Sequence, residues 1–233
     1  IFMISACIIF AHAPDSGLSG LSARPAPEKI CALTFDDGPD ARMTPLILDK
    51  LAKHSVIATF FVIGQLINDD TEPVIVRAVR TGCEIQNHSW GWDSMSAMPA
   101  DEIKESVDRT TEAITKYAGK APSFFRPPNL AVSDTMYETI DLAFAGGVVA
   151  HDWKGCNTSA EDRAKEVLGG VRDGAIILLH DVQPQPHPTP EALDIIIPEL
   201  KKRGYRFVTI SELFKSKGIK PEPHDKKLWT FAE

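Results

Sequence analysis

From Ile30 onward, short apolar runs alternate with longer segments that place apolar residues three and four apart. The runs are Ile30–Phe35, Ile57–Val62, Cys83–Gln86, Ser123–Phe125, Gly147–Ala150, Ala175–Leu179 and Arg206–Val208. They are rich in β-branched and aromatic residues and carry little alternation of polar with apolar positions, the pattern of strands buried on both faces. Helices are expected between them. The first opens at Thr44-Pro45 and runs to His54, with proline at a first-turn position; Glu72–Thr81 stops before Gly82. Asp101–Ala118 stops at Gly119, and Ser133–Ala143, Ala160–Val171, Pro190–Arg203 and Ser211–Lys217 complete the series. Strict strand–helix alternation predicts an α/β fold, a distorted (β/α) barrel of about seven parallel strands, with its active site at the carboxyl ends of the strands. An open doubly wound sheet would carry a glycine-rich phosphate loop after its first strand. The sequence there is Asp36-Asp37-Gly38-Pro39, and two carboxylates repel a phosphate.

The amino-terminal stretch departs from this pattern. Ile1–Phe10 is almost wholly apolar and is followed by Ala11-His12-Ala13, a small-x-small pattern that reads as the end of a partial signal peptide over 1–13, or else as a buried strand or helix. Residues 14–28, rich in Pro, Ser, Gly and Ala, read as a linker to a domain over 29–233. A secreted, extracellular protein is the expectation. The length of 233 residues suits one sizeable core. A formal charge of −7 with no basic stripe argues against nucleic acid or an anionic membrane as partner. Of the four cysteines, Cys31 and Cys83 fall in apolar runs and read as small buried hydrophobes, and no zinc-type spacing is present.

The chemistry concentrates at strand ends. Asp36 and Asp37 follow the first strand, His88 the third, Arg126 the fourth, Asp152 the fifth, and His180 and Asp181 the sixth. Adjacent carboxylates ionise together only beside a cation or a donor, so one can ligate a metal while the other takes a proton from metal-bound water. A solvated Asp-Asp-Gly-Pro turn is the alternative. His88 reads as a ligand or a structural hydrogen-bonder, and Arg126 as a clamp on Asp36 or a surface ion pair. His180, at the end of a buried strand, reads as a proton donor tuned by Asp152 or as a satisfied core histidine.

Thr34-Phe35-Asp36-Asp37-Gly38-Pro39, Asn87-His88-Ser89, Phe125-Arg126-Pro127-Pro128, Asp152-Trp153 and Leu178-Leu179-His180-Asp181 occur in the order found in NodB-type polysaccharide deacetylases. The chain resembles that family, carbohydrate esterase family four, over roughly Glu28 to Phe214. The Asn129-Leu130 and Val182-Gln183-Pro184 details are most similar to the clostridial-type acetylxylan esterases. The resemblance implies Asp36 as general base, Asp37 and His88 as ligands of one divalent metal ion such as Zn or Co, and Arg126 orienting Asp36. It implies Asp152 tuning His180, the general acid. Leu178 and Trp153 would line the slot for the acetyl methyl group, and the Asn129 backbone N–H would help hold the oxyanion. Two positions depart from the family pattern. Trp92 stands where a second ligand histidine is usual, leaving two protein ligands, and Asn129 stands where tyrosine is usual. Asp93 beside Trp92 is a further candidate for the metal shell. The implied activity is removal of acetyl esters from xylan, by a monomeric domain that is free-standing or one module of a larger enzyme. N-deacetylation of chitin oligomers or peptidoglycan, and an inactive polysaccharide-binding domain, are the alternatives. Trp90, Trp92 and His187 are candidate substrate contacts, whereas His54, His151 and His224 have no companions at metal spacing.

Overall fold

The computed structural model describes residues 28–182 and 187–233. The expected signal segment over 1–13 and nearly all of the expected linker lie outside those residues. Among the described residues, eight strands and seven α-helices alternate except where β6 follows β5 directly; the order opens β1 (Lys29–Asp36), α1 (Met43–Lys53), β2 (Thr59–Val62), α2 (Glu72–Arg80), β3 (Glu84–Asn87), α3 (Ala100–Ala118) and β4 (Phe124–Phe125). The chain continues through α4 (Asp134–Thr139), β5 (Ala143–Phe144), β6 (Val148–Val149), α5 (Ala160–Gly170), β7 (Ala175–His180), α6 (Thr189–Lys202), β8 (Tyr205–Val208) and α7 (Ile210–Lys217). Every strand pairing is parallel, as the alternation predicts.

Strand β1 organises the sheet. Along one edge it pairs with β7 over its length, from Cys31 opposite Ala175 to Asp36 opposite His180. Its other edge is shared, Lys29–Ala32 pairing with β8 and Thr34–Asp36 with β2. All of β1 beyond Lys29 is buried, which is why its sequence lacks alternation. The two faces nonetheless go to different places. Cys31, Leu33 and Phe35 pack under α1 and α6 with Ile47, Leu51, Leu193 and Ile197. Ile30 and Ala32 point inward, against Phe61, Phe124, Ile176 and Val208. Because the side-chain period is two, Thr34 and Asp36 continue the inward row. On β7, Ile176 leads to Leu178 and His180 in the same way. The inward rows are therefore apolar at the bottom and polar at the top.

The barrel is not closed by hydrogen bonds. The ladder runs β5-β4-β3-β2-β1-β7-β6, leaving a seam between β5 and β6. From below, the carboxyl-terminal residues fill it. Trp229 accepts from the Gly146 N–H at 2.8 Å and donates to the Phe144 carbonyl at 3.0 Å, while Thr230 accepts from Ile176 N–H at 3.0 Å. The Trp229 ring meets Phe214 of α7 edge-on at 5.2 Å, and Phe214 stacks on Phe124 at 5.4 Å, so α7 plugs the barrel floor.

One expected helix is overrun. Instead of Ser133–Ala143, α4 ends at Thr139 and a strand absent from the expectation, β5, follows. The Ser133 hydroxyl accepts from Met136 N–H and starts the helix, but Ile140 is already extended, at φ −94° and ψ 117°. Pairing Ala143 and Phe144 with β4 buries Phe144 against Phe125 and Tyr137, with ring centroids at 5.3 and 4.5 Å. Tertiary burial outweighs helix propensity over those residues. Cys31 and Cys83 are free and buried, as their apolar context implies.

Since Trp229 is almost fully buried in the seam, Trp229→Ala should lower stability by about 3–5 kcal/mol. Urea unfolding of the two proteins checks this, with a reduced midpoint as the expected outcome.

Candidate active site

At the carboxyl ends of the strands lies a cleft of about 410 Å³, a size that suits a small ligand or a sugar unit. Asp36, Asp37, His88, Trp92, Asn129, Trp153, Leu178 and His180 line it, along with Val149 and the Pro127–Leu130 turn. Of the strand-end residues, Asp36, Asp37, His88 and His180 reach the cleft, Arg126 and Asp152 sit buried behind Asp36 and His180, and Asp181 bonds to Thr44 instead. The positive φ angles of Asp37 (77°), Ser89 (70°), Asn129 (57°), Leu130 (56°) and His151 (49°) put strained backbone in the loops around this cleft.

Arg126 holds the base side of the site. Although fully buried, its guanidinium spends its donors on four acceptors: Asp36 Oδ1 at 2.5 Å, Thr34 Oγ1 at 2.8 Å, and the carbonyls of Gly146 at 2.6 Å and Ala145 at 3.3 Å. Its flat face lies 4.0 Å from the Phe61 ring. Asp36 is itself buried, and the guanidinium gives its carboxylate a partner of opposite charge there. The Ala145 and Gly146 carbonyls belong to the seam; the same guanidinium that aims Asp36 thus ties β4 and β1 to the gap in the barrel.

Asp37 and His88 face each other across the cleft floor. His88 Nε2 lies 3.6 Å from Asp37 Oδ1 and 3.8 Å from Asp36 Oδ2. The His88 Nδ1 is 2.7 Å from the Arg126 carbonyl, which can only accept, so Nδ1 carries a proton and Nε2 is the nitrogen that faces the carboxylates; burial disfavours the imidazolium, but Asp36 and Asp37 outweigh it and raise the His88 pKa. Two ligand atoms sharing one cation at about 2.0–2.2 Å lie roughly 3–4 Å apart, so this spacing and tautomer fit a divalent metal. Among the described residues no group of three or more His, Cys, Asp or Glu side chains converges on a metal position. The donor set is therefore small. Trp92, in place of a further ligand, donates its indole N–H to Asp37 Oδ1 at 3.1 Å. Asp93 lines a neighbouring cleft with Glu102 and Arg109 instead of this one. Burial works against ionisation of Asp37, but His88, His180 and Trp92 outweigh it and hold its pKa below the ordinary value.

The acid side is built on β7 and the turn after β6. His180 Nδ1 is 2.7 Å from Asp152 Oδ1, and the His180 backbone N–H donates to Asp152 Oδ2, also at 2.7 Å. Its other ring nitrogen, Nε2, points into the cleft 4.0 Å from Asp37 Oδ2. Burial disfavours the imidazolium, yet Asp152, with Asp36 and Asp37 behind it, lifts the His180 pKa to about 9. Asp152 is fully buried and held below its ordinary value despite that burial, by His180 and Thr189.

A profile of the polysaccharide deacetylase family matches residues 23–144. The chain belongs to that family. It is similar to a family 4 acetyl xylan esterase from Clostridium thermocellum solved with a cobalt ion, at 56% identity and a TM-score of 0.86 over 87% of this chain and 98% of that one. A bifunctional xylanase/deacetylase of Pseudobutyrivibrio xylanivorans is 46% identical over 87% of this chain, which spans 33% of that relative. A peptidoglycan-N-acetylglucosamine deacetylase of Listeria monocytogenes is 37% identical over 81% of this chain and 40% of its own length.

One contributor to this deacetylase-family site carries no signal in the sequence. Val149 completes the apolar wall beside Leu178 and exposed Trp153. Asp181, next to His180, turns away from the cleft and is fully buried. It accepts from the Thr44 hydroxyl at 2.5 Å, and burial together with Asp37 and Asp36 raises its pKa to about 7. It also explains Gly38: a β-carbon there would lie 2.3 Å from Asp181 Oδ2. His187 is not a substrate contact; it is buried and lies 3.0 Å from the His180 carbonyl. Trp90 packs under Arg109, 3.9 Å from the guanidinium, and lies outside the catalytic cleft. His54, His151 and His224 pair with Asp194, Glu166 and Asp141.

Removing Arg126 strands a buried carboxylate and two seam carbonyls. Arg126→Met should therefore cost about 3–5 kcal/mol of stability, read as a lowered urea midpoint.

Proposed function

We propose that the protein is a divalent-metal-dependent esterase that removes O-acetyl groups from xylan, with Asp36 as general base and His180 as general acid. The observation that carries this reading is that the clamped base and the raised-pKa acid face one cleft from neighbouring strands, with the Asp37–His88 pair between them. Asp37 and His88 would hold the cation, which when bound polarises the acetyl carbonyl and lowers the pKa of water.

The acetyl methyl group packs against Leu178, Val149 and Trp153, with the carbonyl turned towards the Asp37–His88 side. Asp36, aimed by Arg126, takes one proton as water adds to the acetyl carbon. The Asn129 backbone N–H supports the negative charge that develops on the carbonyl oxygen. His180 Nε2 then gives its proton to the departing sugar oxygen as the carbon–oxygen bond breaks, so the products are acetate and a free hydroxyl.

Ester cleavage is favoured over amide cleavage for two reasons. An alkoxide leaves more readily than an amine and so asks less of a metal held by two protein donors. The similarity to an acetyl xylan esterase at 56% identity points the same way. N-deacetylation has support from the Listeria relative at 37%. A binding-only domain would have no use for the intact Asp36–Arg126 and His180–Asp152 pairs. The apolar leader over residues 1–13 supports secretion, and the bifunctional relative supports a place as one module beside a glycanase. Among the described residues no helix is long and apolar enough to cross a membrane.

Acetate release from acetylxylan, acetylated chitooligosaccharide and peptidoglycan, measured across a series of added divalent metals, tests this; faster release from chitin oligomers would sink the ester reading. Asp36→Asn should lower kcat by about 10²–10⁴-fold while metal stays bound, and Asp37→Ala should abolish metal binding in a calorimetric titration. The pH profile supplies a further check. A raised His180 pKa keeps the acid protonated below about 9, so kcat/KM should fall as pH rises through that limb. Asp152→Asn removes the main cause of the rise and should move the limb to lower pH. A cation beside Asp37 lowers the limb in both proteins and leaves the direction of the difference unchanged.

A further inference from the structure

Behind Asp152 lies a buried arginine that the chemistry just described does not use. Arg163, on α5, is fully buried. Its Nη1 donates to the Thr189 hydroxyl at 2.7 Å and lies 3.3 Å from His187 Nδ1, while its Nε donates to the Thr158 hydroxyl at 3.1 Å. A guanidinium has donors only, so each contact fixes the sense of the next bond. Thr189, accepting from Arg163, must send its own proton onward, and it donates to Asp152 Oδ2 at 3.0 Å. His187, accepting at Nδ1, carries its proton on Nε2 and donates it to the His180 carbonyl at 3.0 Å. His180 is thus gripped at its ring and its backbone N–H by Asp152, and at its backbone carbonyl by His187. Both grips end on one guanidinium. Burial and the neighbouring Arg163 charge lower the His187 pKa, in keeping with that neutral tautomer.

We propose that Arg163 is a positioning residue for the general acid: through Thr189 and His187 it sets the direction of the hydrogen bonds that hold His180 aimed at the leaving oxygen. The proposal rests on His180 acting as the acid. It places the control of proton donation on α5 and the amino end of α6, remote in sequence from the strand-end residues.

The test exploits the leaving group. A sugar oxygen needs a proton to depart, whereas 4-nitrophenolate leaves without one. Arg163→Lys keeps the charge but cannot reach three acceptors, and Thr189→Val deletes only the relaying hydroxyl at nearly constant volume. Both should lower kcat on an acetylated xylo-oligosaccharide by about tenfold or more with KM unchanged, while 4-nitrophenyl acetate hydrolysis changes less than about twofold; Thr189→Ser should restore the loss. In the proton spectrum of the substrate-free protein, the His180 Nδ1–H resonance should move to higher field in Arg163→Lys and Thr189→Val and return in Thr189→Ser. Equal loss on both esters, or no loss on either with an unmoved resonance, would overturn the proposal and leave Arg163 as a packing residue. If the wild-type protein releases no acetate from the oligosaccharide, the substrate reading fails by itself, and the resonance still decides the role of Arg163. If Arg163→Lys does not fold, Thr189→Val carries the test.

Discussion

A single guanidinium, that of Arg126, solves two problems at once, and both concern places where the barrel is incomplete. The hydrogen-bonded ladder stops at β5 on one side and β6 on the other, leaving carbonyls at Ala145 and Gly146 that no strand satisfies. The inward rows of β1 meanwhile end in Thr34 and Asp36, polar groups pointing into a space where water is scarce. Burying arginine is costly in itself, because its charge loses solvation. Here that cost is offset by four acceptors and an aromatic face, each of which would be worse off alone. The barrel can stay open, and a carboxylate can be buried at its heart, because the same group serves both.

The acid side follows the same principle with different parts. Asp152 is buried and accepts from His180 twice and from Thr189 once, so its charge is spread over three donors. The two sides differ in what they do to their reactive group. Arg126 gives the Asp36 carboxylate a positive partner, whereas Asp152 favours the protonated form of His180. A buried charge of opposite sign thus stands behind each of the two groups proposed as base and acid.

Much of this could be read from the chain. Uninterrupted apolar runs mark strands covered on both faces, and the reactive residues stand one or two positions beyond those runs, as in any barrel that does chemistry at its strand ends. The misreading at Ser133–Ala143 has a physical cause: its last residues continue a helical pattern, but Ala143 pairs with β4 beside Phe144, whose ring is buried against Phe125 and Tyr137. Trp92 could be recognised as a residue that does not ligate, but not as a donor to Asp37, since that bond depends on where the loop after β3 turns back. Arg163 gave no signal at all. An arginine on a helix with Glu161, Asp162 and Lys165 nearby looks solvated, and only the packing of α5 against α6 reveals that it faces inward.

The register of β1 on β7 has one further consequence. Asp36 and His180 are direct partners across a parallel ladder that extends five residues below them, so the distance between the two groups proposed to move protons is set by sheet geometry. The cleft-lining residues Trp153, Asn129 and Trp92, proposed to meet the substrate, sit instead on the connections above. Proton transfer and glycan selection are therefore separable as engineering variables. On the proposed roles, transplanting the loops of one relative onto the strands of another should change which polymer is admitted while the ladder keeps Asp36 and His180 in register.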